Sequence, residues 1–193
     1  MQIPVGKLHQ LHPVFRLLSM NGVRNIVKSY CQIIFFRRYQ NVYKKGSTAS
    51  LIFIPLYGSF RIMSEDVGTL CENIGVGQTL GEECLYEKAF SERQESCIVE
   101  SNSAALVIDK GVWIMTRSKI TAQIASKGIG NLGKLVEFLE DMNQLDEIFR
   151  RNYNYKKELR ENAAKLKISI ALKPKPHHIK RVRGSSIDSA AQQ

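Results

Sequence analysis

The chain has 193 residues, 44% of them apolar and 24% charged, which is the profile of a soluble globular protein with one sizeable core and an extension. No apolar run approaches the length needed to cross a bilayer, and the first residues, Met1 to Lys7, lack the apolar core of a secretory signal. A net charge of +10 points to acidic partners such as nucleic acid, an anionic membrane surface or an acidic protein, and is silent about fold.

In chain order, His9 to Phe15 is a short lead-in containing a proline. Asn21 or Asn25 is placed to cap a helix whose buried face is Val23, Ile26, Val27 and Tyr30. Gln32 to Phe36 then reads as a buried strand that stops at Arg37-Arg38. From Val42 to Ile108 the pattern is of short strands punctuated by turn residues at Gly46-Ser47, Gly58-Ser59, Ser64-Glu65-Asp66, Gly75-Val76-Gly77 and Ser101-Asn102-Ser103. Such spacing predicts an antiparallel all-β barrel or roll and not a βαβ sheet, closed by strands Ser96–Glu100 and Ala104–Asp109. Helix resumes near Val112-Trp113 and is interrupted at Gly128-Ile129-Gly130. Leu132, Leu135, Val136, Leu139, Met142, Leu145 and Ile148-Phe149 then trace a long amphipathic helix. The run Lys173 to Arg183, rich in Lys, Arg, Pro and His, starts an extended basic arm.

Four cysteines, Cys31, Cys71, Cys84 and Cys97, contain no Cys-x-x-Cys pair, so neither a disulfide framework nor a zinc site is indicated and a reduced intracellular compartment is expected. His177 and His178 are adjacent and make a poor metal site. There is no nucleophile–base pair, no metal-ligand cluster and no triphosphate-binding loop, so an enzyme is not expected.

The stretch with chemistry in it is Gly77-Gln78-Thr79-Leu80-Gly81-Glu82-Glu83-Cys84-Leu85 followed by Arg93-Gln94-Glu95-Ser96. Its glycines allow close backbone approach, the short helix after Gly81 has amides suited to an anion, Arg93 can grip a phosphate in two places and Glu82 can accept from a sugar hydroxyl. An anion beside a hydroxyl suggests a nucleotide.

These landmarks, with Val42 to Gly46 as a first glycine turn and Leu51 to Ile62 as strand, turn and return strand, resemble in order the cyclic-nucleotide-binding domain family. The resemblance covers roughly residues 10 to 130 and implies a mainly-β antiparallel, jelly-roll-like roll with flanking helices, then a helical extension at 131–170 and a basic tail at 171–193. It implies a non-enzymatic switch in which cAMP or cGMP sits on Gly81, Glu82, Glu83, Cys84, Arg93, Gln94, Glu95 and Ser96 and regulates a partner. Within that set Glu82 falls on the ribose-binding position and Arg93 on the phosphate-pairing one, while Cys84 falls on the amide that cradles the phosphate. The helix between Trp113 and Phe149 would close as a lid over the base, with Trp113, Phe138 or Tyr153 as stacking candidates.

Two departures stand out. Glu83 replaces an apolar residue and Glu95 a small one; on a strand, residues 93 and 95 share a face, so Glu95 is expected to pair with Arg93 and fill the anion site. The alternative is then a degenerate roll acting as a structural or interaction subunit of a large assembly, such as a ciliary axoneme or cytoskeletal array in the cytoplasm, with its basic tail on an acidic surface such as tubulin. Nucleic acid is not an expected partner, because the long helix does not supply a helix-turn-helix after the roll.

Overall fold

The computed structural model describes residues 4–65, 68–86, 92–127 and 132–171, with side chains as far as 167. Helix α1 (Val5–Leu11) and a 3-10 turn (Phe15–Leu17) lead into α2 (Met20–Tyr30). Strands β1 (Cys31–Phe36), β2 (Asn41–Tyr43), β3 (Leu51–Tyr57), β4 (Phe60–Ser64) and β5 (Gly68–Ile74) precede the single-turn helix α3 (Glu83–Tyr86). Strands β6 (Ser96–Val99) and β7 (Ser103–Asp109) follow, then α4 (Lys110–Lys127) and the 39-residue α5 (Gly133–Ala171). The expected glycine-interrupted stretch 128–130 and the basic arm lie outside the described residues.

All strand pairs are antiparallel, in one sheet ordered β1-β7-β3 and another ordered β2-β6-β4-β5. The two sheets face each other across Phe36, Phe53, Ala105 and Val107 on one side and Phe60, Ile62, Ile74, Cys97 and Val99 on the other. A second core lies on the outer face of the first sheet, where Ile52, Ile54, Leu106 and Ile108 pack against Val23, Ile26, Trp113, Met142, Leu145 and Phe149 of the helices. Strands β3 and β7 are therefore covered on both faces, and this is why both are nearly continuous apolar runs where a half-solvated strand would alternate.

Two local expectations need correction. The cap of α2 is Ser19, whose hydroxyl accepts from the Gly22 amide, and not Asn21 or Asn25. Ser19 is itself held from α5, its amide donating to Asp141 Oδ1 at 2.6 Å and its hydroxyl to Oδ2 at 2.7 Å. Strand β1 is an edge strand with Gln32 and Phe35 exposed, not a buried one, because it pairs only with β7. The helix at α4 begins behind Asp109, whose carboxylate accepts from the Val112 amide at 2.9 Å.

Candidate functional site

The cassette between β5 and β6 is tied to the rest of the roll by backbone pairing. Phe53 and Leu80 exchange hydrogen bonds at 2.8 and 2.9 Å, so the turn before Gly81 behaves as a short extra strand on β3. Arg93 is pinned in the same way to the first glycine turn: its amide donates to Ser47 O and its carbonyl accepts from the Gly46 amide, both at 2.8 Å. Gly81 is the position where glycine is required. It has φ +79°, and a Cβ there would lie 2.5 Å from Leu51 O and 2.8 Å from Arg93 Nη1.

The Arg93 side chain is buried, 2% exposed, and its guanidinium is spent within the roll. Nη1 donates to Gly81 O at 3.0 Å and to Glu83 Oε1, Nη2 donates to Leu51 O at 2.5 Å, and the face of the guanidinium lies 4.4 Å from the Tyr43 ring centroid. The carboxylate that fills the anion site is thus Glu83, not Glu95. Residues 93–95 precede the regular strand β6, so the sharing of a face by residues 93 and 95 does not bring their side-chain tips together. Glu95 faces α5 and takes a two-pronged grip from Arg160, with Nη2 to Oε2 at 2.9 Å and Nε to Oε1.

Glu82 is likewise engaged. Lys156 on α5 donates to Glu82 Oε1 at 2.6 Å and to Thr79 O at 2.5 Å, and both side chains of this pair are almost fully buried. Three acids of the cassette therefore meet three cations: Glu83 with Arg93, Glu82 with Lys156 and Glu95 with Arg160. Three atoms among the described residues remain buried without a protein partner, Thr79 Oγ1, Glu82 Oε2 and Arg93 Nε.

The other expected contributors are placed as follows. Cys84 is buried, its amide donates to Gly81 O at 3.4 Å, and burial pushes its thiol up to about 12. The Leu85 amide is similarly taken by Glu82 O, so α3 spends these amides on its own turn. Gln94 is exposed and reaches only the Glu92 carbonyl. Ser96 accepts from the Lys45 amide at 3.0 Å and so braces the first glycine turn. The stacking candidates are packed elsewhere: Trp113 is core, edge-on to Phe149, Phe138 stacks on Tyr30, and Tyr153 lies against Tyr86.

Lys156, Arg160, Asp146 and Tyr86 are participants that the sequence reading missed. Asp146 accepts from Trp113 Nε1 at 2.8 Å and from Arg117, while its carbonyl accepts from the Tyr86 hydroxyl at 2.9 Å. The Tyr86 phenol is pushed up by burial and the Asp146 charge. A usable signal was present: Lys156 and Arg160 stand at i and i+4 of a long helix, and Glu82, Glu83 and Glu95 form an acid cluster that a folded core must neutralise.

Beside Arg93 a cleft of about 410 Å³ opens between β2, the first glycine turn and β3, lined by Val42, Tyr43, Leu51 and Phe53 with Asn41, Ser47 and Thr48. This two-sheet roll, its glycine turns and its inserted cassette with a buried arginine are shared with solved proteins. The chain has the cyclic-nucleotide-binding-domain fold. A candidate cyclic nucleotide-binding protein from Geobacter metallireducens GS-15 superposes with a TM-score of 0.56 at 15% identity, over 79% of this chain and 99% of that one. The cAMP-bound PfPKA-R superposes at 0.58 with 11% identity, over 83% of this chain and 46% of that one. The regulatory subunit of a cAMP-independent protein kinase A from Trypanosoma brucei superposes at 0.53 with 12% identity, over 77% and 46%. The chain thus spans about half the length of the latter two. No protein-family model and no curated protein matches the sequence significantly. Within this cyclic-nucleotide-binding fold, no group of His, Cys, Asp and Glu among the described residues is arranged to hold a metal, and no described helix is long and apolar enough to cross a membrane.

Proposed function

We propose that the chain is a non-enzymatic regulatory module of the cyclic-nucleotide-binding fold whose cassette is occupied by its own side chains, so that it works as an interaction subunit without cAMP or cGMP. The observation that carries this reading is the Glu83 carboxylate on the Arg93 guanidinium, with side-chain exposures of 8% and 1%. A cyclic phosphate entering there would have to displace a buried carboxylate or lie beside it, and either costs Coulomb energy in a poorly hydrated site. Lys156 and Arg160 add to this reading, since they hold α5 on the cassette through the protein's own acids. The basic segment 173–183, the docking arm for an acidic partner such as tubulin in the sequence reading, lies outside the described residues.

A second reading, a working cAMP or cGMP sensor, is favoured by one observation. Glu82 Oε2 and Arg93 Nε, which belong to the two side chains assigned by resemblance to ribose and phosphate, are among the buried atoms without a partner. Calorimetric titration and melting with millimolar cAMP and cGMP separate the two. The self-occupied cassette predicts no response in the wild type and a response in Glu83→Ala, where the arginine is released. A wild-type response abolished by Arg93→Ala establishes the sensor instead.

A further inference from the structure

We propose that the cleft beside Arg93 is a binding site for an uncharged, hydroxylated heteroaromatic ligand of the nucleoside class. The inference rests on the self-occupied cassette, and four features of the cleft lead to it. Its walls, Val42, Tyr43, Leu51 and Phe53, are apolar and partly aromatic, which suits a planar ring. Its remaining lining includes Asn41, Ser47 and Thr48, neutral hydrogen-bonding groups suited to hydroxyls and ring nitrogens. Its floor is electrically neutral, because the Arg93 charge is cancelled by Glu83 at bonding distance. Finally, Arg93 lines the cleft while being 2% exposed, and its Nε has no protein acceptor among the described residues.

These features discriminate among ligand classes. A purely apolar ligand leaves the Arg93 donor unmet, which disfavours it. A phosphate monoanion satisfies the donor but meets the Glu83 carboxylate, so charge selects against it. A nucleoside supplies an acceptor for Nε, a ring for the walls and hydroxyls for the polar lining, and brings no charge. The cleft, at about 410 Å³, is in the size range of small-molecule sites.

The test uses the full chain with adenosine and guanosine as probes, and cAMP and cGMP at equal concentration, read by melting temperature and calorimetry. The expected result is a rise of roughly 3–6 °C with a nucleoside in tenfold excess over its dissociation constant, and no rise with either cyclic nucleotide. Thr48→Trp, a bulky replacement at an exposed position of the lining, is expected to abolish the nucleoside response while leaving the unliganded melting temperature unchanged. Glu83→Ala is expected to add a cyclic-nucleotide response. Nucleoside silence in the wild type together with a cyclic-nucleotide response in Glu83→Ala overturns this inference and leaves the self-occupied cassette standing. A wild-type response to cAMP or cGMP overturns the self-occupied cassette itself, and a nucleoside response that survives Thr48→Trp places the ligand elsewhere and overturns the site.

Discussion

His12 is a buried residue whose protonation matters to stability. It is 4% exposed, its Nε2–H donates to Pro55 O at 2.8 Å, and its Nδ1 accepts from the Val14 amide at 3.3 Å, so the neutral ring ties the 3-10 turn to β3. Desolvation lowers its pKa from the ordinary 6.5, with the Pro55 bond opposing. Because the folded value lies below the unfolded one, the unfolded chain takes up the proton first as pH falls. His12 therefore contributes stability that is complete above about pH 6.5 and is lost as pH falls below it toward the folded value. Denaturation midpoints between pH 7.5 and 5 should fall more steeply for the wild type than for His12→Gln, and parallel slopes would refute this account. Gly22 is a second residue with a specific demand, since a Cβ there would lie 1.8 Å from Asp141 Oδ2. Gly22→Ala should cost about 1–3 kcal/mol in urea unfolding by pushing away the carboxylate that holds Ser19.

At the scale of elements, the decisive object is α5. Its first half packs on α2 and in the outer core, and its next turns reach the cassette through Tyr153, Lys156 and Arg160. The buried Lys156–Glu82 pair behaves asymmetrically: removing one partner leaves an uncompensated charge, whereas removing both does not. Lys156→Met should destabilise the chain by about 3–5 kcal/mol, and adding Glu82→Gln should recover most of that loss. Equal stability of the single and double variants would show that the pair is not coupled. Arg160→Gln, at a side chain 23% exposed, should cost about 1 kcal/mol or less and respond to salt. Strands β3 and β7 were readable from their apolar runs and flanking turns, and α3 from Gly81 and the residues after it. The edge position of β1 was not, because its exposure depends on having β7 as its one neighbour in the sheet.

For the whole molecule, sequence and tertiary structure divide the information by range. The roll follows from the sequence itself, since alternation, apolar runs and the positive-φ glycines at Gly46, Gly58 and Gly81 act over a few residues and each supports the same architecture. The identity of the cassette is local for the same reason. What only the tertiary structure decided is which charges meet. Glu82 and Lys156 are 74 positions apart, Glu95 and Arg160 65 apart, and no short-range period links them. Within the cassette, the loop geometry before β6 brings Glu83 rather than Glu95 to Arg93. Sequence therefore determines that an arginine and acids share one site, while the docking of α5 and the packing around the cassette determine how each charge is neutralised, because a buried charge is tolerated only where the fold delivers its partner.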